Sequence, residues 1–181
     1  MRKKRIGILH YSAPPVIGGV EAVINAHSQL FHQYGYPTTI IAGRGDESAV
    51  PRGVNFIPIP EIDTQHPAIL EASSVLEVGS VPHNFNHLQQ VLYNRLHEVI
   101  SQLDILIVHN VFSKHFNLPL TAALSQALQD GSPPRMIAWS HDFTWTSPNS
   151  RHKVHDGYPW DLLRRPLQGM RYVVVSKERQ H

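Results

Sequence analysis

Three histidines stand where predicted strands of this chain end, and imidazole can donate, accept or carry a proton near neutral pH. His10 and His109 each close an apolar run, and His141 lies two residues beyond Trp139, the last residue of a third run. In a parallel sheet with the strand order 3-2-1-4-5-6, these three strands are neighbours. We therefore predict that the three histidines share the carboxyl edge of one sheet.

Three interpretations of these histidines are open. They could be hydrogen-bonding and acid–base groups that line a polar cleft, or three ligands of one metal ion. They could also only cap the backbone of their own strands, at a solvent-facing edge without a functional role. A metal site requires three imidazoles within about 2.1 Å of one ion, whereas neighbouring strands lie about 4.8 Å apart. We favour the polar cleft, and we expect neither a metal nor another cofactor.

The loop after the first predicted strand contains Gly18 and Gly19, directly before a predicted helix. Glycine has no Cβ, so its backbone can turn sharply and approach a ligand closely. The first amides of the helix face outward, and the helix dipole favours an anion there. The loop therefore suits a phosphate or a carboxylate, with a plain turn as the alternative. It is neither a Gly-x-Gly-x-x-Gly fingerprint nor a P-loop.

His141 is the strongest functional candidate of the three histidines. Asp142 follows it, and the aromatic residues Trp139, Phe143 and Trp145 surround it in the sequence. Aromatic faces with interspersed polar groups suit sugar rings, although such residues also pack loops onto sheets. We expect the imidazole to point into the cleft beside the glycine loop rather than into the core.

Apolar runs typical of buried strands alternate with helical patterns along the chain, which predicts a doubly wound, Rossmann-like parallel sheet of the α/β class. We predict a single domain over residues 1–181, because this length is short for two sizeable domains. The predicted strands are residues 6–9, 38–43, 54–59, 104–109, 135–139 and 172–175. The predicted helices are residues 20–34, 68–77, 83–103, 118–129 and 159–167, and residues 176–179 would begin another.

The composition is that of a folded domain without a membrane span. Hydrophobic residues make up 41% and charged residues 17% of the chain, which excludes a disordered protein. The chain has no cysteine, no visible signal peptide and no apolar run near the roughly 18 residues of a membrane span. We predict a cytoplasmic location. The net charge of +2 does not indicate nucleic-acid binding, and the basic residues 2–5 either touch an anionic membrane surface or lead into the first strand.

Four segments occur in a characteristic order along nearly the whole chain. They are a Pro-rich loop ending in Gly-Gly-Val-Glu at residues 18–21, His109-Asn110, His141-Asp142 and a Val-Ser-x-x-Arg segment at residues 175–179. The pattern resembles the N-terminal domain of family 4 retaining glycosyltransferases, which have the two-domain GT-B architecture.

The resemblance implies roles for the matching residues. His141 would contact the transferred sugar and would be the catalytic group of this domain. Gly18 and Gly19 would approach the phosphate of the donor or the acceptor. The remaining substrate-binding candidates are His10, His109, Asn110 and Asp142.

The resemblance also implies partners: a nucleotide-sugar donor and a carbohydrate or lipid acceptor. The second domain of the family, with its nucleotide site and its pair of glutamates seven residues apart, has no counterpart here. We therefore expect residues 1–181 alone not to transfer sugar, and a C-terminal domain or a separate chain to complete the enzyme. Apolar surface that such a partner would cover favours self-association, so a homo-oligomer is one expected outcome.

Two other functions stay open. The chain could be a stand-alone module that holds a glycan, a nucleotide or a partner in the same cleft. It could also be a different Rossmann-like enzyme, such as an epimerase or a dehydrogenase, although the missing Gly-x-Gly-x-x-Gly argues against this.

Overall fold

The computed structural model describes residues 2–130 and 133–177, which form one parallel sheet with helices on both faces. The strands are β1 (Ile6–Ser12), β2 (Thr38–Arg44), β3 (Asn55–Pro58), β4 (Ile105–His109), β5 (Arg135–Ser140) and β6 (Arg171–Val174). The helices are α1 (Gly19–Gln33), α2 (Pro67–Glu77), α3 (Phe85–Ile100), α4 (Leu118–Gln129) and α5 (Asp161–Arg164). The strand order β3-β2-β1-β4-β5-β6 and the parallel pairing confirm the predicted Rossmann-like α/β fold.

Alternate residues of the central strands pack against opposite helix layers, because strand side chains alternate between the two faces of a sheet. In β1, Leu9 belongs to a core shared with residues of α2, α3 and α4. Ile6 and Ile8 instead pack with Ile24 of α1. The same smaller core takes every second side chain of β4 and β5: Ile105, Ile107, Ile137 and Trp139.

The end of β1 differs from the prediction, and this moves one candidate residue. His10 does not end the strand, because β1 continues to Ser12, which pairs with Arg44 of β2. The breaker effect of Pro14 and Pro15 reaches back only to about residue 13, so residues 10–12 remain free to pair. His10 is therefore an interior residue of β1, whereas His109 does end β4 as predicted.

The helices agree with the prediction except at some ends. α4 has its predicted bounds, and the Asn117 side chain accepts from the Leu120 amide at 3.1 Å. The predicted caps of α3 are wrong, because Asn84 makes no capping hydrogen bond and Asn86 lies inside the helix. α5 is shorter than predicted, since a residue before proline avoids the helical region and Pro166 follows Arg165. None of the helices in the described ranges is both long and apolar enough to cross a bilayer.

Two predicted helix ends involve residues outside the described ranges. Gly131, predicted to follow α4, and residues 178–179 of the predicted last helix are among them.

Gly35 follows the end of α1, as predicted, with φ 78°, a conformation that glycine adopts without steric cost.

The basic residues 2–5 fold back onto the amino edge of the sheet. The guanidinium groups of Arg2 and Arg5 each lie 3.6 Å from Asp104, and the Lys4 ammonium lies 3.8 Å from it. The Lys3 ammonium lies 4.6 Å from the centre of the Tyr36 ring. This geometry fits a lead-in that is anchored to the domain, at the opposite edge from the predicted cleft.

Candidate functional site

The candidate site lies at the carboxyl ends of β1, β4 and β5, on the face that α1 covers. His10 continues the alternation of Ile6 and Ile8, and His109 continues that of Ile107, so both imidazoles face the α1 side. His141 follows β5 directly after Ser140. The sheet topology thus brings together the three histidines that the sequence predicted to share an edge.

His10 is almost fully buried, and its ring orientation is fixed by one hydrogen bond. Its Nδ1 lies 3.0 Å from the backbone oxygen of His109. A carbonyl oxygen only accepts, so His10 Nδ1 carries the hydrogen. In the neutral ring, Nε2 then carries a lone pair and no hydrogen. This nitrogen lies 3.9 Å from Oε1 of Glu21. Burial is the main cause that lowers the pKa of His10, and nearby His141 lowers it further, against the Glu21 charge and the backbone bond.

Glu21 is a buried carboxylate in the first turn of α1. Ser12 at the end of β1 donates its hydroxyl hydrogen to Glu21 Oε1 over 2.5 Å. A negative side chain in the first turn is favoured by the helix dipole. Glu21 therefore ties the start of α1 to the end of β1 and places a fixed charge opposite His10.

His109 is fully buried and contacts His141 directly. The two rings are stacked with centroids 5.3 Å apart, and His109 Nδ1 lies 3.0 Å from His141 Nε2. Nε2 of His109 is buried without a hydrogen-bond partner among the described residues. A buried N–H without a partner is rarer than a buried acceptor without one, so the hydrogen of His109 belongs on Nδ1. His141 then accepts at Nε2, and its own hydrogen lies on Nδ1.

The rings of Trp139 and His27 pack around His109. Trp139 lies 5.8 Å from His109 in a stacked arrangement and 4.9 Å from His27 of α1 in an edge-on arrangement. Burial, together with the charges of His10, His141 and His27, lowers the pKa of His109 to about 2. Burial also lowers the pKa of His27. His109 is therefore a neutral support for His141 at any physiological pH.

Asn110 positions the backbone of His141. The Asn110 side-chain oxygen accepts from the His141 amide at 2.8 Å, and the Asn110 amide donates to the Trp139 oxygen at 3.0 Å. Asn110 has φ 62°, a left-handed conformation that asparagine tolerates better than most residues. The sequence predicts a substrate contact for Asn110, and the structure gives it a buried place behind the site.

Replacement of Asn110 tests this positioning role. We expect Asn110→Ala to lower the free energy of unfolding by about 2–3 kcal/mol, because it combines backbone strain with a lost hydrogen bond. Asn110→Gly should cost about 1 kcal/mol less, since glycine adopts the conformation freely. Urea unfolding of the two variants measures the difference, and equal losses would show that the left-handed conformation is not retained.

The two glycines of the loop differ in their surroundings. A Cβ on Gly18 would collide with the carboxylate of Glu21, whereas a Cβ on Gly19 would meet no atom within 4 Å. Gly18 has extended backbone angles, φ −168° and ψ 164°, that any residue adopts. The place next to Gly18 is thus occupied by Glu21, and a ligand anion would have to bind beyond it, nearer Gly19.

Asp142 is exposed beside His141, whose own side chain is half-buried. His141 is therefore the member of the histidine cluster that can meet a ligand, while His10 and His109 are buried. The arrangement places an imidazole at a sheet edge, held by contacts to its ring and to its backbone. Such a group can donate to a hydroxyl or take part in proton transfer.

The histidines are not placed as metal ligands. Within residues 2–130 and 133–177, no group of three or more histidine, aspartate or glutamate side chains is arranged to hold a metal ion. His109 and His141 direct their ring nitrogens at each other across 3.0 Å, which leaves no room for an ion between them. The three-histidine metal interpretation therefore does not fit the geometry.

Sequence reasoning missed three polar residues of the cluster: Ser12, Glu21 and His27. A signal for Glu21 was available, because Glu21, Ile24 and Ser28 share one helical face and all three are buried. A carboxylate on the apolar face of a helix requires a partner. Ser12 gave no such signal, since its role depends on the extra length of β1.

No protein-family model matches this chain, and no curated protein matches it in sequence. Function is therefore inferred from the site itself and from the motif pattern.

Proposed function

We propose that this chain is the acceptor-side domain of a retaining glycosyltransferase, with His141 in contact with the sugar that leaves a nucleotide-sugar donor. The observation that carries the proposal is the double support of His141 at the carboxyl edge of the sheet. His109 holds its ring and Asn110 holds its backbone amide. In open α/β sheets, ligands bind at this edge, where the strand order reverses.

The imidazole of His141 suits hydroxyl groups, because a ring nitrogen can exchange a hydrogen bond with a sugar hydroxyl. His109 is buried and neutral, and its contact with His141 holds the His141 ring in one orientation before a ligand binds.

The partners that belong to this proposal are a nucleotide-sugar donor, a carbohydrate or lipid acceptor, and a donor-binding domain or chain. Donor recognition and stabilisation of the leaving phosphate are not provided by the cluster around His141, so they fall to that partner. A cytoplasmic location, where nucleotide sugars would be available to the cleft, is also part of the proposal.

A second candidate function is a module that binds neutral glycans without transfer. The observation that favours it is Glu21, whose carboxylate lies against Gly18 in the first turn of α1. A negative charge there opposes a phosphate by like-charge repulsion. An uncharged sugar would not be opposed.

Saturation-transfer NMR with the full chain separates these functions. We expect UDP-glucose or GDP-mannose to receive saturation at the sugar protons, with a dissociation constant of about 1 mM, as suits half of a two-domain cleft. His141→Ala should weaken this binding about tenfold, the loss of one hydrogen bond to a polar ligand. The matched control is His87→Ala, since His87 is an exposed histidine on α3.

The outcomes are distinct. Binding of methyl glycosides but of no nucleotide sugar would favour the neutral-glycan module over the transferase. Binding of neither class, or equal binding by wild type and His141→Ala, would refute the proposed role of this edge.

A further inference from the structure

A second concave feature lies beyond β5, apart from the histidine cluster. It is a cavity of about 190 Å³ between the ends of β5 and β6 and the segment around α5. Its wall is mainly aromatic and apolar, and the main contributors are Phe112, Phe143, Trp145, Leu163 and Tyr172. We call this feature the aromatic cavity.

The walls of the aromatic cavity are held by contacts among its lining residues and with a neighbouring backbone amide. Phe143 and Trp145 form a tilted ring pair with centroids 4.9 Å apart. The Tyr172 hydroxyl accepts from the Leu167 amide at 2.9 Å, which fixes the ring of this edge-strand residue. Phe112 and Leu163, which also line the cavity, are buried. The cavity is therefore formed before any ligand binds.

The size and lining of the cavity indicate a ring. A cavity of about 150 Å³ lined by apolar side chains is enough to bind benzene, so about 190 Å³ accommodates one six-membered ring. Aromatic side chains favour offset or edge-to-face contacts with another ring. A flexible alkyl chain would fit less well, because it would lose more conformational freedom on entering a compact site.

The charges at the rim do not demand an ionic ligand. Arg164 and Arg165 line the cavity, but both are already paired with Asp161, at 3.3 Å and 2.9 Å. Arg164 also pairs with Asp156 at 3.0 Å. Both arginines at the rim are thus paired with carboxylates outside the cavity, and the site favours an uncharged ring.

The aromatic cavity adjoins the histidine site along the chain. Ser140 lines the cavity, and the next residue is His141. Consecutive Cα atoms are about 3.8 Å apart, so the lining of the cavity and the backbone of His141 meet at the end of β5. We propose that the aromatic cavity holds a neutral aromatic ring of the acceptor, which makes the acceptor an aryl compound rather than a plain sugar or an alkyl lipid. The word acceptor rests on the proposed function, whereas ring binding in the cavity stands on its lining alone.

Titration of the full chain with phenol, phenyl glucoside and methyl glucoside tests this inference by NMR of the three tryptophan indole N–H signals. Trp145→Phe assigns the signal of Trp145. We expect phenol and phenyl glucoside to shift this signal with dissociation constants of about 1–10 mM, as suits a single buried ring. Methyl glucoside should not shift it, because it has no aromatic ring.

Variants locate the binding. Trp145→Ala and Tyr172→Ala each remove one wall and should weaken phenol binding at least about tenfold, a cost of about 1.4 kcal/mol. Because Trp145→Ala also removes the Trp145 signal, saturation transfer to the phenol protons measures binding in both variants. Two walls are tested separately, so the inference stays testable if one variant does not fold. Tyr158→Ala is the matched control, because Tyr158 is an exposed tyrosine outside the cavity.

The outcomes separate this inference from the proposed function. Unchanged phenol binding in folded Trp145→Ala and Tyr172→Ala, or no shift of Trp145 with phenol in the wild type, would overturn the inference. Phenol binding that persists in His141→Ala, while no sugar ligand shifts His141, would support the aromatic cavity and refute the transferase assignment.

Discussion

Lowering the pH from about 7 to about 5 is expected to reduce the free energy of unfolding by about 4 kcal/mol, mostly through two buried histidines. Burial and three neighbouring histidines lower the pKa of His109 to about 2, and burial is the main cause that lowers the pKa of His115 to about 4. Both groups have an ordinary pKa of 6.5. Between about pH 6.5 and each lowered pKa, the imidazole is protonated in the unfolded chain but stays neutral in the folded chain. The free energy of unfolding therefore falls as the pH falls.

The magnitude follows from this window. At about pH 5, each group contributes a loss of about 2 kcal/mol relative to neutral pH. The lowered pKa of His10 acts in the same direction. The lowered pKa of Glu77 makes a contribution that is lost only below about pH 4.5, outside this range.

Urea unfolding at both pH values, in the wild type and in His115→Leu, measures the effect. The variant should lose about half of the pH dependence, because leucine does not titrate, whatever its stability at neutral pH. His83→Gln is the control, since His83 is exposed. A stability that changes by less than about 1 kcal/mol between the two pH values would contradict the buried, neutral state of these imidazoles.

Replacement of His141 by alanine should lower sugar transfer by about two orders of magnitude or more, in the transferase completed by its donor-binding partner. The reason is the loss of an imidazole whose position is fixed by His109 and Asn110. The free energy of unfolding should fall by only about 1 kcal/mol, because the half-buried site lets water reach the freed His109 Nδ1. Turnover and urea unfolding of the same variant are the two measurements.

His87→Ala is the control for this prediction, and it should change neither quantity. Unchanged turnover in His141→Ala would remove His141 from the reaction. A loss of several kcal/mol in stability would instead make His141 a structural residue.

The fold was largely predictable because its signals are local. The apolar runs of β1 and β4 and the helical spacing in α1 and α4 identify their elements directly. The Rossmann-type strand order assumed from the sequence pattern is the one observed. Strand ends were less predictable: the three extra residues of β1 depend on pairing between Ser12 and Arg44, which are far apart in sequence.

The placement of the histidines at one edge was predictable from the sequence, but the difference in their burial was not. The sequence places both His109 and His141 at the same edge, yet one is fully buried and the other half-buried. The difference arises from Trp139, which packs over His109, and from the turn at Asn110. The partnership of Ser12 and Glu21 likewise depends on where α1 docks against β1.

Long-range ¹H–¹⁵N NMR of the histidine rings, recorded while a nucleotide sugar is added, tests the proposed role of His141 most directly. In the free chain, we expect the His141 hydrogen on Nδ1 and the His109 hydrogen also on Nδ1. Addition of UDP-glucose or GDP-mannose to about 10 mM should shift the His141 Nδ1 signal and leave the exposed rings of His87 and His152 unchanged. A His141 hydrogen on Nε2, or a His141 signal that no nucleotide sugar moves, would contradict the assignment of this edge as the sugar site.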